Sequence, residues 1–142
     1  MPYYNGGNIA TPPYTQDEAA TVIQRLFEYL RIGDTVSAGG LFLYSGGGLQ
    51  VMADEMLGAF GDGFFQHLEQ RTFGTTLIGE DAAQVRLSMT HIDLWEYPFE
   101  EGNPPLVEID LTVDLTLHEG QWMIVDHDDK LMFALLGMAV IE

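Results

Sequence analysis

Residues 82–126 read AAQVRLSMTHIDLWEYPFEEGNPPLVEIDLTVDLTLHEGQWMIVD, and their alternation of apolar and polar side chains decides the fold. Val107, Ile109, Leu111, Val113, Leu115 and Leu117 fall on one side of an extended chain, and Glu108, Asp110, Thr112, Asp114, Thr116 and His118 on the other. A period of two with one oily side is the signature of an antiparallel strand, buried on one face and wet on the other. Val85, Leu87 and Met89 repeat the pattern upstream, and Trp122 to Asp126 repeat it downstream of a tight Glu119-Gly120 turn. A further strand is expected over 72–78, returned by Gly79-Glu80-Asp81.

The chain before these strands reads as helical. Thr15-Gln16-Asp17-Glu18 fits a capping box, and Ala19, Val22, Ile23, Leu26, Phe27 and Leu30 follow at three- and four-residue steps up to Gly33. Asp34 is placed to cap a short second helix through Val36, Leu41 and Phe42, with Gly46-Gly47-Gly48 expected to end it. A third helical stripe runs from Leu49 to Leu68, with a break expected at Gly61-Asp62-Gly63. The glycine run lacks the Lys and Ser or Thr of a phosphate loop. After the strands, 131–141 is apolar all round but shorter than the roughly twenty residues of a membrane span. A short helix capped by Asp128 or Asp129, closing the open end of the sheet or meeting a second subunit, would cover it. Residues 1–14 are expected to form a flexible arm, and 15–142 a single domain.

The 142 residues carry 22 acidic against 5 basic side chains, a formal charge of -17. Phosphate backbones need clustered Lys and Arg, so nucleic acid is not an expected partner, whereas a basic protein is compatible. There is no cysteine, which removes disulfides and thiolate chemistry. The first eight residues have neither the basic start nor the apolar stretch of a secretory signal, and a cytoplasmic location is expected on that ground.

The first helix running into Tyr29-Leu30-Arg31-Ile32-Gly33-Asp34, the long hairpin strands, and the final strand His118-Glu119-Gly120-Gln121-Trp122-Met123-Ile124-Val125-Asp126 together resemble the nuclear transport factor 2-like superfamily. The resemblance covers nearly the whole chain and implies an α+β cone. In it, N-terminal helices pack on a strongly bent antiparallel sheet of four strands or more, with a short C-terminal apolar helix. That superfamily includes ketosteroid isomerases, polyketide cyclases and bacterial domains of unknown function. Its fold alone carries no function.

Candidate site residues follow from the strand phase. Extending the inward row past Met89 places His91, Asp93 and Trp95 in the cone, an imidazole and a carboxylate able to trade a proton. A β-bulge would instead turn Ile92 and Leu94 inward, and as core residues they are the better fit. Tyr29, Tyr44 and Trp122 complete the expected ligand-binding set with Met89, His91, Asp93 and Trp95; among them Tyr29, Tyr44 and Asp93, and also Asp126, are types that suit an isomerase. Asp126-His127-Asp128-Asp129 contains metal-ligand types whose adjacent side chains point apart, so no metal is expected, nor any cofactor. The long hairpin connection, aromatic from Trp95 to Phe99 and acidic at its tip, suits a gate or a partner contact.

Three functions are compatible. The first is a noncatalytic binding domain for an apolar small molecule or a protein, expected as a homodimer through its outer sheet face or its apolar tail. The second is a cofactor-independent isomerase, cyclase or hydrolase built on His91 and Asp93. The third is an acidic immunity or inhibitor protein that captures a basic partner.

Overall fold

The structure is a computed structural model that describes residues 16–44, 46–96, 98 and 103–138. The capping box at Thr15, the arm before it, Tyr97 and residues 99–102 of the hairpin connection, and the tail beyond Met138 lie outside the described residues.

Among the described residues four helices and four strands follow in blocks: α1 (Gln16–Arg31), α2 (Thr35–Gly39) and α3 (Gly46–Phe60), then β1 (Glu69–Ile78), β2 (Ala82–Ile92), β3 (Leu106–His118) and β4 (Gln121–Val125), then α4 (Lys130–Leu135). The strands form one open antiparallel sheet in sequence order with helices packed against it, the expected α+β cone. In α1 the residues spaced by three and four, Ala19 to Leu30, are all buried. Each large one contributes about 1.5–3 kcal/mol by leaving water. The helix ends as its sequence directs: the Asp34 N–H donates to the Tyr29 carbonyl at 2.8 Å, the Gly33 N–H donates to the Leu30 carbonyl at 3.0 Å, and Gly33 takes φ +81°. Arg31 then fixes the start of the sheet, its guanidinium donating to the Leu68 carbonyl at 2.8 Å while the Gln66 amide donates to the Arg31 carbonyl at 2.8 Å.

The glycine run does not end α2. The carboxylate of Asp34 caps α2 by accepting the Ser37 N–H at 3.1 Å, but the helix stops at Gly39, and Gly46 opens α3. The reason is a close backbone approach: a Cβ on Gly39 would lie 2.5 Å from the Gly46 carbonyl oxygen, so two glycines are required where the helices meet. Leu41 and Phe42, expected in α2, instead pass beside β4, where the Ile124 N–H donates to the Leu41 carbonyl at 2.8 Å and the Leu43 N–H donates to the Ile124 carbonyl at 2.9 Å. Val36 faces solvent. The break after α3 falls at Gly61, with φ +93°, followed by a short turn of helix at Phe64–His67 that buries both phenylalanines.

The first strand begins at Glu69, three residues before the expected start, and it carries a bulge between Thr72 and Gly74. The β2–β3 register is continuous from Ala82↔Thr116 to Ile92↔Leu106, so no bulge interrupts β2. Glu119 and Gly120 take φ +53° and +80°, the paired left-handed conformation of a two-residue hairpin turn, which suits glycine at the second position.

The cap of α4 is Asp126, not Asp128 or Asp129. Its two carboxylate oxygens accept the N–H groups of Leu131 and Met132, each at 2.8 Å. Asp128 and Asp129 take left-handed backbone conformations in the turn that brings those amides round to Asp126. Leu131, Met132, Ala134, Leu135 and Leu136 are buried in the same core as α1 and β2. This much of the apolar tail is therefore covered within the chain.

Candidate functional site

The inward row of β2 is Ala83, Val85, Leu87, Met89 and His91, and all five side chains are buried. Unbroken strand pairing carries the alternation to His91, which is 2% exposed. Its Nδ1 lies 2.8 Å from the Ile92 carbonyl oxygen. A carbonyl only accepts, so Nδ1 is the donor, and in the neutral ring Nε2 is the acceptor. That buried Nε2 has no hydrogen-bond partner among the described residues. An unsatisfied buried polar atom costs about 1–3 kcal/mol. Thr35, another buried polar residue, is satisfied, since its hydroxyl donates to Asp54 at 2.6 Å.

The strand phase stops at Ile92. The Asp93 N–H donates to the Pro105 carbonyl at 2.9 Å, and Asp93 Oδ1 accepts the Trp95 N–H at 3.0 Å, starting a single turn of helix over Leu94–Glu96. The carboxylate thus holds its own turn, while the Nδ1 of His91 is engaged by the Ile92 carbonyl. Trp95 is 68% exposed at the rim, and Ile92 is buried on the opposite face from His91. The Leu94 N–H donates to the Gly137 carbonyl at 2.9 Å, which ties this end of β2 to the chain leaving α4. A Cβ on Gly137 would stand 2.6 Å from the Ile92 carbonyl oxygen, the same oxygen that holds the His91 ring.

Of the expected binding residues, Met89, His91 and Trp122 are buried in the interior, and Tyr29 packs half-buried against the core from α1. Asp93 and Trp95 sit at the end of β2, and Tyr44, 69% exposed, lies beyond the segment that borders β4.

A second assembly forms where β4 stops and the chain turns into α4. Asp110, Asp114, Asp126 and Asp128 line a concavity of about 350 Å³ together with His127 and Lys130. His127 Nε2 meets Asp114 Oδ2 at 2.8 Å. Burial pushes the Asp126 carboxyl above its ordinary value of 3.8, opposed by the two amides it accepts and reinforced by the charge of Asp129. At Asp34 the hydrogen bonds from Ser37 act the other way and hold the carboxyl below its ordinary value. Among the described residues no group of three or more His, Asp or Glu is arranged to hold a metal ion, and no helix is long and apolar enough to cross a membrane. The sequence reading assigns no role to the concavity. A signal for it was present in the lengths, since a long alternating strand precedes the Glu119-Gly120 turn and a short one follows it.

No known protein family and no curated protein sequence matches the chain. Solved structures do. A chain named for a calcium/calmodulin-dependent protein kinase II association domain, from Xanthomonas campestris, superposes with a TM-score of 0.55 at 14% identity over 87% of this chain and 92% of that one. AclR, a hydroxylase by name from Streptomyces galilaeus, gives 0.49 at 14% identity over 87% and 98%. A polyketide cyclase by name, from Xanthomonas campestris, gives 0.46 at 8% identity over 84% and 98%. The chain shares the α+β fold of the first of these, and at 14% identity the shared fold is all that the likeness establishes.

Proposed function

We propose that the protein is a binding domain whose interior, at the His91 end of the cone, takes an apolar small molecule carrying one hydrogen-bond donor. The observation that carries this reading is the buried Nε2 of His91, without a hydrogen-bond partner among the described residues, on an otherwise apolar strand face. An interior lone pair is satisfied by a hydroxyl or a protonated acid, and the charge of -17 disfavours anions. Met89, two residues back on the same strand face, supplies apolar surface. Asp93 and Trp95 form the rim.

The test compares 2-naphthol with 2-methoxynaphthalene, which share a ring system and differ in the donor. The naphthol is expected to bind at least about tenfold tighter, the worth of one hydrogen bond to a buried group, and His91→Leu removes the difference. Equal affinity for both compounds in the native protein sinks the reading.

The isomerase alternative gains nothing from Asp93, whose carboxylate serves the Trp95 amide. Dimerisation through the outward sheet face belongs to the binding reading. Arg71 and Arg86 stand there near Glu108 and Asp110, with Phe73 exposed among them, a mixture that can complement a second copy. Sedimentation at increasing salt reports on it.

A further inference from the structure

We propose that the free edge of β3 is a docking site for an extended basic segment of a partner protein, which joins the sheet as an added strand beside residues 106–112. The peptide groups of β3 have alternating directions. The Leu117 N–H donates to the Asp81 carbonyl at 2.8 Å, and the Pro105 carbonyl accepts the Asp93 N–H at 2.9 Å, so odd-numbered residues turn their peptide groups toward β2. Even-numbered residues turn theirs the other way. There β4 pairs with Asp114, Thr116 and His118, and then ends at Val125. Leu106, Glu108, Asp110 and Thr112 have no strand beside them among the described residues.

Other sheet edges are managed. The far side of β4 is bordered by Leu41 and Leu43, and β1 is interrupted by its bulge and held at its head by Arg31. The β3 edge instead borders the 350 Å³ concavity, with Asp110 and Thr112 on the strand side and His127 and Leu131 on the other.

Charge selects the occupant. Around the concavity Asp114 is engaged by His127 and Asp126 by the Leu131 and Met132 amides, which leaves Asp110 and Asp128 beside Lys130, and Glu108 continues the acidic row along the strand. A strand laid beside β3 projects every second side chain over that row, where Lys or Arg is attracted and Asp or Glu repelled. Main-chain bonds to the edge supply affinity, and the alternate side chains supply selectivity. The site is separate from the His91 interior and stands or falls without it.

The experiment uses the full chain and three blocked nine-residue peptides: alternating Lys and Val, the same peptide methylated on its five central backbone nitrogens, and alternating Glu and Val. Affinity is read by calorimetry, and exchange of the Glu108, Asp110 and Thr112 amides by NMR. The Lys-Val peptide is expected to bind and to slow those amides at least tenfold. Backbone methylation, which keeps the charge, weakens binding at least tenfold, and the Glu-Val peptide does not bind. Asp110→Lys weakens the Lys-Val peptide without altering exchange at Thr116. Equal binding of the methylated and unmethylated peptides overturns the proposal, because attraction to an acidic surface alone would then suffice. So does absence of binding, or slow exchange of the three amides before any peptide is added, which would show the edge already covered.

Discussion

The two halves of β3 carry the same alternating sequence and live in different surroundings. In residues 114–118 the strand is bonded to β2 on one side and β4 on the other, and its inward Leu115 is fully buried. In residues 106–112 it has β2 alone, and inward Val107, Ile109 and Leu111 are only half-buried although the residue types are as apolar. Alternation determines which face a side chain takes. Whether its peptide group is paired depends on where the neighbouring strand stops.

The sharpest way to break this comparison is amide exchange in the free protein. The Thr116 amide, paired with β4, is expected to exchange at least about a thousandfold more slowly than those of Glu108 and Asp110, because its release requires opening of the fold. Similar rates along the whole strand would erase the distinction. Next in size is truncation of the inward row. Leu115→Ala should cost about 2–5 kcal/mol in urea unfolding, and Ile109→Ala about 1–2 kcal/mol, since less surface leaves water there.

Asp126 guards the point where β4 gives way to α4, and Asp126→Ala should cost about 1 kcal/mol through the lost cap. Its pH dependence has a defined sign. The carboxyl is raised above 3.8 in the folded protein, so its titration favours the fold below that value and the advantage fades as pH rises through the folded value. The stability gap between wild type and Asp126→Ala should therefore narrow as pH is raised from just below 3.8, with denaturation curves of the pair as the measure. Smallest is His127→Ala, which removes an exposed ion pair to Asp114 and should cost less than about 1 kcal/mol, less still in high salt.

Much of the architecture was legible because it follows from local periods. The α1 stripe, the Asp34 cap, the break at Gly61 and the hairpin turn at Glu119-Gly120 are each written in a few adjacent residues. The direction of His91 was open between two alternatives, with Ile92 and Leu94 the better core residues by type, because a single bulge would reverse the phase. The failures lie where distant segments meet. Gly46 reads as a helix end until Gly39 is packed against it, and Asp128 and Asp129 read as caps until the turn swings the amides of Leu131 and Met132 onto Asp126. Trp95 continues the strand phase on paper, but the Asp93 carboxylate closes a turn that carries it outside.

By itself, then, the sequence determined which segments are helix and strand and which face each strand turns to the core, since hydrophobic periodicity acts over neighbouring residues. Tertiary structure decided that the His91 Nδ1 donates to the Ile92 carbonyl while Nε2 has no hydrogen-bond partner among the described residues, and it fixed where β4 ends beside β3. Those outcomes depend on hydrogen-bond geometry and on strand pairing, which the alternation and length of the strands suggest but do not fix.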